Sequence, residues 1–144
     1  MTLQRKALTT NNLGMLFYGL SAVLIGPTLP GMIDTFDLSL SAGGLIGSVQ
    51  NAGGFLGAFL SLWIASRFSH PRTAVISFLL MGGALVAVGV AGTYATILVA
   101  FAFSGFVVRL FDVVLNAHTG ELTAGRSGKP MTILHMYYGI GAFV

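Results

Sequence analysis

Four long apolar segments run through this 144-residue chain and limit what it can fold into. They cover residues 13–33, 42–65, 73–92 and 94–117. An α-helix rises 1.5 Å per residue, so about 20 residues cross the roughly 30 Å hydrocarbon core of a bilayer. A transmembrane barrel would instead show strands of alternating polarity, and the sequence has no such alternation. The segments therefore predict an all-α integral membrane protein.

The composition excludes the soluble classes of protein. Hydrophobic residues make up 55% of the chain and charged residues 8%, whereas about a quarter of a soluble domain is charged. Seven Lys and Arg residues are too few and too scattered to follow a nucleic-acid backbone. The chain has no cysteine and no phosphate-binding, metalloprotease or serine-hydrolase motif. We therefore expect no enzymatic activity, no cofactor, no metal and no nucleic-acid partner.

The basic residues predict how the spans are oriented. Six of the seven fall on one side of the membrane when the spans alternate: Arg5, Lys6, Arg67, Arg72, Arg126 and Lys129. The loops on the other side contain Asp34 and Asp37 and no Lys or Arg, and the two aspartates are expected to be solvated. Because cytoplasmic loops are enriched in Lys and Arg, we expect a multi-pass protein of the cell (inner or plasma) membrane with a cytoplasmic N-terminus.

The residues after the fourth segment predict part of a fifth helix. A polar connection at 120–129 precedes Pro130, which suits the first turn of a helix. The apolar stretch from there to Val144 is too short to span a bilayer. The chain therefore either ends in a stub at the interface or continues through a fifth span. We favour the second reading, in which residues 1–144 are the N-terminal part of a transmembrane domain.

One face of the second segment carries small residues. Steps of 3.6 residues give the series Gly43, Gly47, Gln50, Gly54, Gly57, Ser61 and Ala65. Lipid provides no hydrophobic drive between helices, so small residues that allow close backbone approach favour association. The glycines therefore predict a helix-packing face. Gln50 is the exception, because its amide needs a partner or water, and it is a candidate for lining a substrate path.

The fourth segment carries the strongest candidate for chemistry. Helical spacing places Arg109, Asp112 and Asn116 on one face, together with Gly105 and Thr119. A charge at the centre of a bilayer costs at least ~2.5–3.5 kcal/mol, and pairing of Arg109 with Asp112 at i and i+3 offsets part of that cost. Two interpretations stay open. The pair either fixes this helix against its neighbours or, as we favour, forms a polar cavity wall with a titratable carboxylate.

Three other polar side chains lie within or near the predicted spans. Tyr18 lies midway along the first segment, and His135 lies in the partial fifth helix. Either residue serves packing or lines a cavity, and both join Asn116 and Gln50 as candidates for lining a substrate site. His118 lies near the cytoplasmic boundary and is expected to be a solvated residue at a helix end.

Several stretches resemble the start of a major facilitator superfamily transporter. Residues 29–30, 36–39, 44–48 and 54–57 are similar to the passage from helix 1 to helix 2 in that superfamily, and Arg67 lies in the region of its basic loop between helices 2 and 3. The resemblance covers the whole chain. It implies helices 1–4 and the start of helix 5 of a six-helix half, with the remaining transporter half as a missing partner.

Within that superfamily, residues 105–117 most resemble helix 4 of the fucose–galactose–proton symporter group, which includes glucose/mannose permease-like proteins. This resemblance implies proton-coupled uptake of a sugar or similar small polar solute by alternating access. It assigns proton coupling to Asp112 and a sugar hydroxyl contact to Asn116. It also places His135 at a polar position that opens helix 5. Residues 25–28 lack the second carboxylate that some members carry late in helix 1.

Two other functions are compatible with a membrane bundle of this kind. One is a complete short four-helix protein that oligomerises as a pore or multidrug antiporter, and the other is a scaffold that transports nothing. Small antiporters are expected to carry their key acid in the first helix, whereas the intramembrane acid here is in the fourth. A polar face confined to that helix also has little use in a scaffold.

In the transporter interpretation, movement of Arg109 relative to Asp112 is expected to help switch the carboxylate between its protonation states.

Overall fold

A computed structural model describes residues 2–124 and 128–143, and within those residues the protein is entirely α-helical. The helices are α1 (Leu3–Val23), α2 (Ile25–Thr35), α3 (Leu40–Arg67), α4 (His70–Gly89), α5 (Tyr94–Leu122) and α6 (Lys129–Phe143). The joined stretch Leu3–Thr35 and helices α3, α4 and α5 are each long and apolar enough to cross a membrane. The predicted all-α membrane fold is confirmed. Arg126, one of the basic residues used to predict orientation, lies outside the described residues, as does Val144.

The first predicted span, residues 13–33, lies within Leu3–Thr35, which is long and apolar enough to cross a membrane but forms two helices that separate at Leu24. Pro27 explains the separation, since it lacks an N–H and its ring meets the carbonyl of the residue four positions earlier, Val23. The first helix also begins at Leu3, within the polar stretch before residue 13. There the hydroxyls of Thr9 and Thr10 donate to backbone carbonyls four residues earlier.

Helices α3 and α5 extend beyond the apolar segments that predicted them, whereas α4 begins three residues earlier and ends three residues earlier than its segment, 73–92. Ser39 begins α3 by accepting a hydrogen bond from the Ala42 N–H, and Thr93 and Thr96 form a capping box at the start of α5. These side chains satisfy N–H groups that have no partner within the helix. At its other end α5 continues past residue 117 to Leu122, so part of the predicted polar connection is helical.

Helix α5 is the centre of the bundle. It packs most extensively against α3, then against α4, and less against α1, whose main partner is α6. One apolar cluster joins α1, α4, α5 and α6; its fully or nearly fully buried members are Met15, Tyr18, Met81, Val107, Val108, Phe111, Leu115 and Leu134. A second cluster joins α3 and α5 through Ile46, Ile97 and Phe101, and side chains of α2 pack against it.

Glycines bring α3 and α5 into backbone contact. A methyl group at Gly53 would overlap the Ala102 carbonyl, and one at Gly57 would overlap the carbonyl of Phe106. In the opposite direction, a methyl group at Gly105 would overlap the Gln50 carbonyl. Small residues at these positions therefore allow the two backbones to touch, which is how helices associate in lipid.

The predicted glycine face of α3 contacts two different helices. Gly54 faces the Gly105 backbone: a methyl group at Gly54 would lie 3.5 Å from the Gly105 carbonyl oxygen. Gly43 lies instead against the side chain of Ile33 in α2. A methyl group at Gly47 would have a single neighbour within 4 Å, a side-chain atom of Ile25 at 3.9 Å. Gly47 is therefore not part of the close contact with α5, because α2 lies over the first turns of α3 and α5 approaches further along.

Polar side chains join α1, α4 and α5 near one end of the bundle. Asn11 is 3% exposed; its amide donates to the Thr119 hydroxyl at 2.9 Å, and its oxygen accepts from Nδ1 of His118 at 3.2 Å. Nδ1 of His70 lies 2.9 Å from Oε2 of Glu121. The expectation that His118 is a solvated end residue is wrong, because its ring is partly buried and hydrogen-bonded to α1.

The Gly53→Ala variant tests the contact between α3 and α5. The added methyl group would overlap the Ala102 carbonyl, and overpacking of this kind costs about 1–3 kcal/mol of unfolding free energy. We expect a lower midpoint of thermal unfolding in detergent. Gly82→Ala is the matched control, because nothing lies within 4 Å of its built Cβ and removing a helical glycine stabilises by up to about 1 kcal/mol. Equal midpoints for the two variants would contradict the contact.

Candidate functional site

The charged face of α5 is held by hydrogen bonds between its own side chains. Nη1 of Arg109 donates to Oδ2 of Asp112 at 3.2 Å. The amide of Asn116 donates to the other carboxylate oxygen, Oδ1, at 2.8 Å and to the Asp112 carbonyl at 2.9 Å. Residues three and four apart are neighbours on a helix surface, so the regular α-helix is sufficient to assemble this group.

The two charges differ in how far they reach solvent. The side chain of Arg109 is 49% exposed, whereas that of Asp112 is 18% exposed. The carboxylate is therefore the more buried of the two charged groups, and it accepts hydrogen bonds from two donors, Arg109 and Asn116. Because an unpaired charge is costly at membrane depth, Arg109 and Asp112 stabilise each other.

A cleft of about 480 Å³ opens beside this face, between α1, α3, α5 and α6. Five residues with polar groups line it: Tyr18, Gln50, Asn51, Arg109 and Tyr138. The rest of the wall is small or apolar: Ala22, Gly54, Phe55, Ala58, Gly105 and Val108. A concave site with apolar walls and a few polar groups is the usual form of a small-molecule binding site, and this volume lies in the usual range.

Two tyrosines form one wall of the cleft. The ring centroids of Tyr18 and Tyr138 are 5.1 Å apart, and their planes are inclined by 34°. The rings meet because α1 and α6 touch through glycine: a methyl group at Gly19 would overlap the Tyr138 carbonyl, and one at Gly141 would overlap the Leu16 carbonyl. Tyr18 is 6% exposed and also lies close to the charged pair of α5.

The structure brings most of the predicted site residues together. Tyr18, Gln50 and Arg109 line the cleft, and Asp112 and Asn116 adjoin it through their hydrogen bonds on α5. His135 is not among the residues that line the cleft; it is exposed on α6, one turn before a tyrosine that does line it.

Two residues of the cleft were missed in the sequence. Asn51 follows Gln50 directly and is a second amide within an apolar segment, which was a usable signal. Tyr138 follows His135 by three residues and so lies on a nearby part of the same helix. Whether Tyr138 lines the cleft depends on how closely α6 approaches α1. The periodicity of residues within one helix carries no information about that distance.

The cleft has no metal-binding character in the described part of the chain. No group of three or more His, Asp or Glu side chains is close enough together there to hold an ion. The available chemistry is hydrogen bonding by two amides and two phenols and one cationic side chain, with the Asp112 carboxylate adjoining the cleft through Arg109. Tyr18, Gln50 and Arg109 lie well inside stretches of helix that are long and apolar enough to cross a membrane, so the site is away from the ends of these stretches.

The comparisons with known proteins identify the family. The sequence model of the Major Facilitator Superfamily matches residues 12–144. Neither the search of curated proteins nor the search of solved structures gave a match. The family match covers nearly the whole chain, and the part that the structure describes is helical, with four stretches of helix long and apolar enough to span a membrane. The protein therefore belongs to the Major Facilitator Superfamily of membrane transporters.

Proposed function

We propose that the protein is a secondary active transporter that couples proton movement to uptake of a sugar or similar small polar solute. Family membership supports membrane transport in general. The observation that carries the finer proposal is the position of Asp112: a carboxylate within a membrane helix, bonded to Arg109 and Asn116 beside a polar cleft. Intramembrane carboxylates of this kind mark ion and substrate pathways in transporters.

Proton coupling is proposed to depend on the contact between Asp112 and Arg109. While the guanidinium is within hydrogen-bonding distance, it stabilises the ionised carboxylate. When the guanidinium moves away, a partly buried carboxylate is left without a cation, and binding a proton becomes favourable because burial disfavours the charged form. Exposure of the group to one side and then the other would allow it to take up a proton outside and release it inside.

The solute is proposed to bind in the cleft of about 480 Å³. The amides of Gln50 and Asn51 and the phenols of Tyr18 and Tyr138 offer both donors and acceptors for hydroxyl groups. Asn116 is proposed as a further hydroxyl partner, reached when its bond to Asp112 rearranges.

The described helices are proposed to form one wall of the transport path. In transporters of this superfamily the substrate site lies near the bilayer midplane between two repeats that rock against each other. A second transporter half would supply the opposite wall. The proton, the solute and the surrounding lipid are then the expected partners, with the N-terminus on the cytoplasmic side.

The Asp112→Asn variant tests proton coupling. The amide keeps the shape of the side chain but cannot exchange a proton, so pH-driven accumulation should fall to the equilibrium level while solute exchange is partly retained. The uptake of each of a panel of sugars and related solutes would be measured in proteoliposomes under an imposed pH gradient, for the native protein and for the variant. Asp34→Asn is the control, because that residue is exposed near the end of α2. Normal accumulation by Asp112→Asn would remove this residue as the coupling site.

Single cysteines test the orientation. The chain has none of its own, so Ser69→Cys between α3 and α4 and Thr35→Cys at the end of α2 each add one exposed thiol. A membrane-impermeant maleimide should label Thr35→Cys in intact cells and Ser69→Cys only after permeabilisation. The opposite pattern would place the N-terminus outside.

A further inference from the structure

We propose, on the basis of the transport function proposed above, that the solute is an anion: a hydroxylated carboxylate such as a sugar acid, held by Arg109. Four observations support this inference: the exposure of the guanidinium, its incomplete pairing, the charge balance of the cleft, and the groups that surround it.

The first observation is which charge the solute meets. Arg109 lines the cleft and is 49% exposed, whereas Asp112 is 18% exposed and is not among the lining residues. A solute that enters the cleft therefore approaches a positive charge first. A neutral sugar hydroxyl would accept a hydrogen bond from the guanidinium, whereas a carboxylate would also gain the attraction between opposite charges and can form two parallel bonds.

The second observation is that Asp112 accepts one hydrogen bond from the Arg109 guanidinium, which leaves its other N–H donors available to a solute. Arginine has five N–H donors in a planar fork, and the bond to Asp112 is a single contact of 3.2 Å from Nη1 to Oδ2. A paired contact would use two parallel bonds. The other carboxylate oxygen of Asp112 already accepts from Asn116 at 2.8 Å. Asp112 thus keeps one donor when Arg109 leaves, and Arg109 retains the geometry to bind a second carboxylate in a two-bond contact.

The third observation is the charge balance. The polar residues that line the cleft with Arg109 from the other helices are Tyr18 on α1, Gln50 and Asn51 on α3, and Tyr138 on α6, and none of these is a carboxylate or a cation. Asp112 is therefore the residue of the described site that balances Arg109. Protonation of Asp112 would leave a cation without a partner at membrane depth, which is costly. An anionic solute on Arg109 restores the balance, so proton and anion favour each other's binding.

The fourth observation concerns the remainder of the solute. The two amides and the two phenols around Arg109 suit a chain of hydroxyl groups next to the carboxylate. The volume of about 480 Å³ is in the range of small-molecule sites. The site as a whole thus combines one carboxylate-binding group with several hydroxyl-binding groups.

The dependence of transport on membrane potential distinguishes the two substrate classes. One proton that moves with one monovalent anion transfers no net charge, whereas one proton with a neutral sugar transfers one. The native protein in proteoliposomes would be given a fixed pH gradient, and the potential would be set with potassium and valinomycin. We expect D-gluconate or D-glucuronate to accumulate to the same extent at zero and at −100 mV. Coupling to neutral D-glucose or L-fucose would instead change the accumulation ratio by up to roughly 50-fold per 100 mV.

Variants of Arg109 test the carboxylate contact itself. Arg109→Gln should weaken D-gluconate binding roughly 10- to 100-fold, the effect of losing a hydrogen bond to a charged group. Arg109→Lys should retain part of the affinity, because a point charge remains without the fork. Arg72→Gln is the matched control, since Arg72 is exposed on α4 and is not among the residues that line the cleft. Binding would be followed by the shift of the thermal unfolding midpoint with added ligand. If Arg109→Gln fails to fold, Arg109→Lys and the potential measurement decide the question.

Failure of this inference differs from failure of the proposed function. Potential-dependent accumulation of D-glucose or L-fucose, with no binding of either sugar acid, would overturn the anionic substrate and leave proton-coupled transport in place. If none of the four solutes accumulates under a pH gradient, and if the Asp112→Asn variant takes up solute as the native protein does, both the anionic substrate and proton-coupled transport would be overturned.

Discussion

The backbone contact between α3 and α5 determines the geometry of the rest of the bundle. Lipid is as apolar as the side chains, so helices in a membrane gain stability from close packing and not from burial of apolar surface. At Gly53 and Gly57 a single methyl group would overlap the carbonyls of α5. The same approach presses Gly105 against the Gln50 carbonyl and thereby brings the amides of α3 beside Arg109. One packing interaction therefore creates both the stability of the helix pair and one wall of the cleft.

A second contact of the same type completes the cleft. Gly19 of α1 and Gly141 of α6 each lie against a carbonyl of the other helix, and Tyr18 and Tyr138 meet beside them. Helix α5 belongs to the first of these glycine contacts and also packs against both helices of the second, α1 and α6. Its apolar side chains enter the core with α1, α4 and α6, while its charged face looks into the space between the pairs. The cleft is thus open where two tightly packed helix pairs meet a single polar face.

The charged face is both a cost and the source of the proposed activity. Arg109 and Asp112 stabilise each other within the membrane, and Asn116 holds the carboxylate from the other side. The Arg109 side chain is 49% exposed, so it is accessible to the solute that the proposed function requires. A fully buried Arg–Asp pair with two parallel hydrogen bonds would serve to hold the helix in place. A single contact at the edge of a cleft is suited to exchange one partner for another, which is what coupling between a proton and a solute requires.

The sequence by itself determined the features that depend on one helix at a time. Apolar length gave the membrane helices, and helical spacing gave the charged face of α5, because both follow from local geometry. The proline break in the first segment was also within reach of the sequence. Only the tertiary structure decided that Gly53, and not Gly47, contacts α5, that Tyr138 enters the cleft while His135 does not, and that His118 binds α1. Periodicity fixes the angular position of a residue on its own helix, whereas the height and identity of the neighbouring helix at that position are set by packing among all of them.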